Sequence, residues 1–208
     1  MRENLSAADV RDLFKAVSTR MLANIEMLTA VDQAIGDGDH GIGMRRGFTA
    51  VAERMNAADA TTVPAVFKAV GMALLSKTGG AAGAVFGTLF RSGGAALPEG
   101  DLDAGGVVLF LERGLAAVEE RGGSRPGQKT MIDALAPALD AARAAAPRGL
   151  AATLGAAADG AAKGVEATKT MIATTGKART LGERSLGHAD PGAVSTRLIL
   201  EAMRDFVA

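Results

Sequence analysis

Three aspartates, three glycines and a histidine fall within the ten residues Asp32-Gln33-Ala34-Ile35-Gly36-Asp37-Gly38-Asp39-His40-Gly41. Two carboxylates about 4 Å apart repel by roughly 4 kcal/mol at an effective dielectric near 20, so three on one turn call for a counter-charge. A hard divalent cation is the candidate. Such ions take oxygen ligands, and Mg²⁺ in particular is held by a few carboxylates together with water and phosphate oxygens. A solvated acidic turn is the competing reading, since Asp and Gly are common turn formers. A calcium-binding EF-hand loop does not fit: with Asp37 as the first position, Phe48 falls where a bidentate Glu is required.

Two further stretches have the composition of a binding site. Ser76-Lys77-Thr78-Gly79-Gly80-Ala81-Ala82-Gly83-Ala84-Val85-Phe86-Gly87 is a glycine-rich turn feeding a helix. Free backbone N–H groups at a helix start suit a phosphate, and small side chains let it come near. The stretch is not a Walker A motif, and Gly80, Gly83 and Gly87 could equally serve close helix packing. The second stretch, Thr174 to Gly192, gathers Gly, Arg, Lys, Thr and His in a loop longer than a plain connection needs.

Composition narrows the chemistry. Lys and Arg total 23 against 23 Asp and Glu, so no net field draws the chain to nucleic acid or anionic lipid. The absence of cysteine removes disulfides, thiol nucleophiles and thiolate metal sites. The N-terminus lacks an apolar h-region and no run of about 18 apolar residues occurs, so a cytoplasmic protein is expected. Abundant Ala, with seven Phe and no Trp or Tyr, favours helices.

The elements that must position these residues follow from apolar periodicity. The expected fold is all-α, an eight-helix antiparallel up-and-down bundle or barrel formed by residues 1–208 as a single domain. Ser6 or a neighbour caps a first helix whose stripe runs Val10, Leu13, Phe14, Val17, Met21, Ile25, Leu28 and delivers the chain to Asp32. Gly41 to Ala57 forms the second, with Arg45 and Arg46 near its start facing phosphate, a partner or solvent. Val63 to Ser76 forms the third, opened by Thr62 and Pro64. The fourth leaves the glycine turn, and the fifth spans Asp101 to Glu120. Lys129–Ala145 and Leu150–Ile172 follow, and Asp190 with Pro191 supplies N-cap and N1 for the last. Alternate loops of such a bundle are neighbours, so the acidic turn and the loops at Gly79, Gly122 and Gly176 should share one end.

Four ordered motifs carry a resemblance. They are Asp32-x4-Asp37-Gly38-Asp39-His40-Gly41, Gly79-Gly80-Ala81-Ala82-Gly83, Gly127-x-Lys129-Thr130-Met131-Ile132-Asp133 and Leu181-Gly182-Glu183-Arg184-Ser185-x-Gly187-His188-x-Asp190-Pro191-Gly192. In this spelling and order the chain resembles the nucleotide-binding L subunit of bacterial dihydroxyacetone kinase. The resemblance implies that Asp32, Asp37 and Asp39 hold two Mg²⁺ ions bridging the phosphates of ADP or ATP. It places His40, Gly41, Ile42 and Gly43 along phosphates and ribose, and Ala81 and Ala82 at the glycine turn. Gly122 and Met131 lie by the adenine, and Lys177, Asp190, Pro191 and Gly192 close over it.

No catalytic group beyond the metal-binding aspartates is implied, since phosphoryl transfer rests on positioning and charge neutralisation. The sugar-binding half is absent, so the resemblance implies a separate K subunit holding a short ketose. The donor is either exchanging ATP or a phosphotransferase-system phosphoprotein that recharges bound ADP, and a homodimer is a further assembly to consider. Three positions depart from the family pattern: Gly43 stands for Asn, Ala82 for Ser and Lys177 for Arg. Those departures give weight to an alternative, a nucleotide-sensing or regulator-docking module without turnover.

Overall fold

The computed structural model describes residues 2–208. In chain order the helices are α1 (Ala7–Ala23), α2 (Ile25–Ile35), α3 (Asp39–Ala57), α4 (Val63–Lys77), α5 (Gly80–Ala95), α6 (Ala104–Gly122), α7 (Ile132–Ala145), α8 (Leu150–Thr168) and α9 (Pro191–Val207). Two 3-10 segments, Ala146–Arg148 and Lys177–Ser185, complete them. Among the described residues the sole β contact is a bridge between Leu5 and Leu102, and no helix is long and apolar enough to cross a membrane.

Four helix starts carry a side-chain cap, one of them Asp103 on α6, which accepts from Gly106 N at 2.7 Å. Ser6 and Asp9 form a reciprocal capping box on α1. Thr62 accepts from Ala65 N on α4, and Asp190 accepts from Ala193 N at 2.7 Å on α9.

The expected first helix is broken in two at Asn24, whose side chain donates to Arg20 O and whose N–H reaches Met21 O. The apolar stripe crosses this break without interruption, because Met21, Ile25 and Leu28 are all buried. Periodicity therefore hides it. α7 begins at Ile132 rather than Lys129, because the Asp133 carboxylate gathers Gly127 N and Thr130 N into a tight loop ahead of the helix. α8 ends at Thr168 rather than Ile172, where Lys129 Nζ takes Thr168 O and Gly187 N takes Lys169 O.

α1, α3, α4, α5, α6, α7, α8 and α9 each pack on the next in that order, and α9 packs back on α1; α2 lies against α3 and α9. Phe14, Phe67, Phe90 and Phe110 meet inside, with Phe14 edge-on to Phe67 and Phe90 at 5.1 and 5.5 Å between ring centres. Phe14 sits on α1, Phe67 and Phe110 on the first halves of α4 and α6, and Phe90 on the second half of α5, away from the four glycine loops.

Glycine sets the spacing of the tightest pair, α7 and α8. Pro137 lies inside α7 and has no N–H for the carbonyl of Asp133, four residues earlier. α8 approaches there through Gly164, where a Cβ would overlap Asp133 O, and through Gly160 against Pro137 O. Gly164→Ala should therefore cost about 2–3 kcal/mol and lower Tm by roughly 5–10 °C. Gly155→Ala on the same helix, where a Cβ meets nothing within 4 Å, should be neutral or stabilising by up to about 1 kcal/mol. Thermal unfolding followed by circular dichroism checks both.

Candidate functional site

An open cavity of about 390 Å³ lies where α2, α4, α6 and α8 end and α3, α5, α7 and α9 begin. All four loops expected at one end contribute to its lining.

On one side the acidic turn joins α2 to α3. Oxygens of Asp32, Asp37 and Asp39 lie within 4.8 Å of one another. Asp32 is buried in the last turn of α2, and its Oδ2 accepts from His40 N at 3.1 Å. The α3 N-terminus thus offsets the unfavourable end of the α2 dipole. Asp37 and Asp39 are exposed, and both accept from Lys177 Nζ, Asp39 at 2.9 Å. That ion pair pulls the Asp37 carboxyl below the ordinary carboxylate range and raises Lys177 well above that of a free lysine. The ammonium stands in for a cation in a three-carboxylate cradle, so the donor set fits a hard divalent ion.

Across the cavity, Gly79 and Gly80 turn the chain at φ of +79° and +57°, in the left-handed region that favours glycine. The first-turn N–H groups of α5 have no side-chain cap, which leaves donors for an anion. The remaining glycines of this stretch serve helix packing instead, since Gly83 and Gly87 on α5 pack against the end of α4, where an added Cβ would lie 3.3 Å from Thr78 Cβ and 2.8 Å from Leu75 Cβ.

Most predicted residues come together. His40, Gly43, Ala81, Ala82, Gly122, Met131, Lys177, Asp190, Pro191 and Gly192 line the cavity, as do Asp32 and Asp39. Asp37 stands at its edge through Lys177. Gly41 and Ile42 fall outside the lining: a Cβ on Gly41 would overlap Thr29 Oγ1 on α2, and Ile42 points out at 51% exposure. The departure at Gly43 has a local reason, since a Cβ there would sit 3.0 Å from Thr78 O.

Several contacts that set the site have no local signature in the sequence. His40 Nε2 lies 2.8 Å from Ser195 Oγ, which fixes the ring, and burial pushes its pKa below the ordinary value against the pull of Asp32 and Asp39. Lys129 is 2% exposed at φ +59° and ties its loop to Thr168 O and His188 O. Burial lowers its pKa while Asp190 and Asp133 oppose. The Asp190 carboxyl is raised to about 7, chiefly by its own burial. The long loop holds the 3-10 segment Lys177–Ser185, interrupted at Gly182, and Ser185 Oγ anchors it by accepting from Ala173 N.

Known proteins resemble this chain in sequence and fold. The DAK2 domain family matches residues 34–205. The ADP-binding subunit DhaL of PEP-dependent dihydroxyacetone kinase 1 from Listeria innocua is 39% identical over 184 residues, covering 88% of each chain. The corresponding subunit from Escherichia coli is 38% identical over 181 residues, covering 86% of each. The crystal structure of the dihydroxyacetone kinase from C. freundii in complex with AMP-PNP and Mg²⁺ superposes with a TM-score of 0.75 at 27% identity. That match covers 99% of this chain and 35% of the larger enzyme, so the chain spans about a third of it.

The charges make two outcomes testable. A divalent ion bound here would compete with Lys177 for the oxygens of Asp37 and Asp39. Lys177→Met should therefore tighten Mn²⁺ binding in the absence of nucleotide, read from the free-Mn²⁺ electron paramagnetic resonance signal; unchanged or weaker binding contradicts the competition. For Asp190 the folded pKa of about 7 lies above the 3.8 of a free Asp. The folded state then binds the proton more tightly, and stability falls as pH rises from about 4 through 7. Asp190→Asn keeps a capping side chain and should flatten that decline in urea unfolding measured between pH 5 and pH 8.

Proposed function

The chain belongs to the DAK2 domain family, and from that premise we propose that it is the nucleotide-carrying subunit of a dihydroxyacetone-type short-ketose kinase. The observation that carries the reading is the pairing, across one cavity, of a three-aspartate cluster, two of whose carboxylates hold the Lys177 ammonium, with an uncapped, glycine-turned helix start. One face suits metal ions and the other suits phosphate.

Asp32, Asp37 and Asp39 would hold Mg²⁺, which when bound neutralises phosphate charge for transfer between oxygens. The chain's own residues do the positioning. Asp32 is oriented by His40 N, and His40 by Ser195. The N–H groups at Ala81 and Ala82 face the phosphate tail, while Gly122 and Met131 wall the base. Asp190 to Gly192 start α9 against it, and Lys177 closes from the long loop. Residues 1–208 act as one nucleotide-binding domain.

The ketose is held by a separate K subunit. Two of the similar subunits are named PEP-dependent and ADP-binding, which favours ADP kept as a coenzyme. A phosphoprotein of the phosphotransferase system would then recharge it to ATP, whose terminal phosphoryl group would pass to the ketose hydroxyl oxygen with release of the hydroxyl proton and return of ADP.

Mixing the protein with a K-type subunit, dihydroxyacetone and ATP should yield sugar phosphate; a nucleotide sensor without turnover would yield none. Alone, the protein should melt at higher temperature with Mg-ADP. Asp37→Asn should weaken that binding by at least the roughly 10–100-fold that loss of a supporting metal-site group costs, with helical circular dichroism retained. Unchanged affinity in the variant would sink the metal assignment.

A further inference from the structure

Three cationic side chains line the cavity: Arg46, Lys129 and Lys177. Two are already committed. Lys177 neutralises Asp37 and Asp39, and Lys129 is buried on the carbonyls of Thr168 and His188. Arg46 is exposed and forms no ion pair among the described residues.

Its contacts instead lie at the end of α4. Nη2 donates to Thr78 O at 2.8 Å and Nε to Lys77 O at 3.3 Å, the two carbonyls directly ahead of the Gly79–Gly80 turn. A Cβ on Gly79 would lie 3.2 Å from Nη2, so the guanidinium rests against the turn itself. The bare Gly43, one helical turn earlier on α3, leaves room beside Thr78 O, the oxygen that Arg46 holds. A guanidinium has five N–H donors. Two are used here, and the remaining three have no acceptor among the described residues.

We propose that Arg46 is a specificity-determining residue for the phosphate tail: it locks the Gly79–Gly80 turn through Lys77 O and Thr78 O and offers its free N–H groups to the outermost phosphate of the nucleotide. This rests on the nucleotide reading above. A planar fork bound on one edge to carbonyls keeps its other edge fixed for phosphate oxygens. The same residue thereby sets the turn and counts the phosphates, which makes the site discriminate a triphosphate from a diphosphate and both from a monophosphate.

The test is calorimetric titration of the full chain with AMP, Mg-ADP and a Mg-bound non-hydrolysable ATP analogue. It is carried out on wild type, Arg46→Met and Arg46→Lys, each checked for helical content. Arg46→Met should lose roughly 10–100-fold in affinity for the triphosphate analogue, as expected for hydrogen bonds to a charged group. It should lose less for Mg-ADP and change about twofold or less for AMP. Arg46→Lys, which keeps charge without the fork, should fall between, and serves alone if the Met variant does not fold. An equal loss for all three nucleotides would make Arg46 a strut of the turn only, and no loss in either variant would make it a solvated cation; each overturns the proposal. Wild-type protein that binds none of the three with Mg²⁺ overturns the nucleotide reading and this proposal together.

Discussion

The mutual repulsion of Asp32, Asp37 and Asp39 is the constraint to which this end of the molecule is fitted. Asp32 lies in the last turn of α2, where the partial negative charge of the helix end adds to the problem. Three devices offset it. The α3 N-terminus is brought back over Asp32 so that His40 N reaches its carboxylate. Asp37 and Asp39 remain in water, where repulsion is weaker. The third is distant in sequence: Lys177, on the loop between α8 and α9, crosses the cavity mouth to both exposed carboxylates. The acidic turn is therefore also what holds the long loop in place, and closure of the site becomes an electrostatic matter.

The opposite wall depends on how closely helices approach. α7 and α8 meet backbone to backbone because Gly160 and Gly164 face the stretch of α7 that Pro137 leaves one hydrogen bond short. That contact seats Asp133, and Asp133 folds the loop from Gly127 to Thr130 that carries Lys129. Lys129 in turn gathers the end of α8 and the chain ahead of Asp190. A packing decision in the interior is thus transmitted, through one carboxylate and one ammonium, to the residues lining the cavity. Across the site, Gly83 and Gly87 do the corresponding work between α4 and α5, and this brings an α4 end rich in carbonyls beside an α5 start rich in N–H groups.

Features whose cause is local were legible in the sequence. The caps at Ser6, Thr62 and Asp190 each satisfy donors within three residues, and the apolar stripe from Val10 to Leu28 proved buried residue by residue. The convergence of four alternate loops followed from connectivity alone. Features whose cause is distant were not legible. Nothing near Asn24 marks a break, because both halves bury the same face. Lys129 looks like a helical residue until Thr168 and His188 are brought to it. The 3-10 segment at Lys177–Ser185 has no apolar period, and is fixed by Ser185 on Ala173 N and by Gly187 N on Lys169 O. Gly41 shares a motif with its neighbours yet is spent on packing against Thr29, a distinction only the fold can draw.

The two faces of the cavity differ in how firmly they are built, and that difference bears on binding. The face at the Gly79–Gly80 turn is made of helix ends joined by backbone hydrogen bonds and by Arg46 on Lys77 O and Thr78 O, so its donors are set before any ligand arrives. The cation face is conditional, because its exposed carboxylates are satisfied by a side chain from a glycine-flanked loop, with Gly176 and Gly182 both at positive φ. An ion that takes those oxygens must release Lys177, and a released ammonium beside a phosphate cavity favours an anion there. By linkage the reverse holds equally: an anion that engages Lys177 vacates the aspartates for the ion. Metal and phosphate are then expected to enter as one unit, each removing the obstacle to the other, with the loop that carries Lys177 as the element both of them bias.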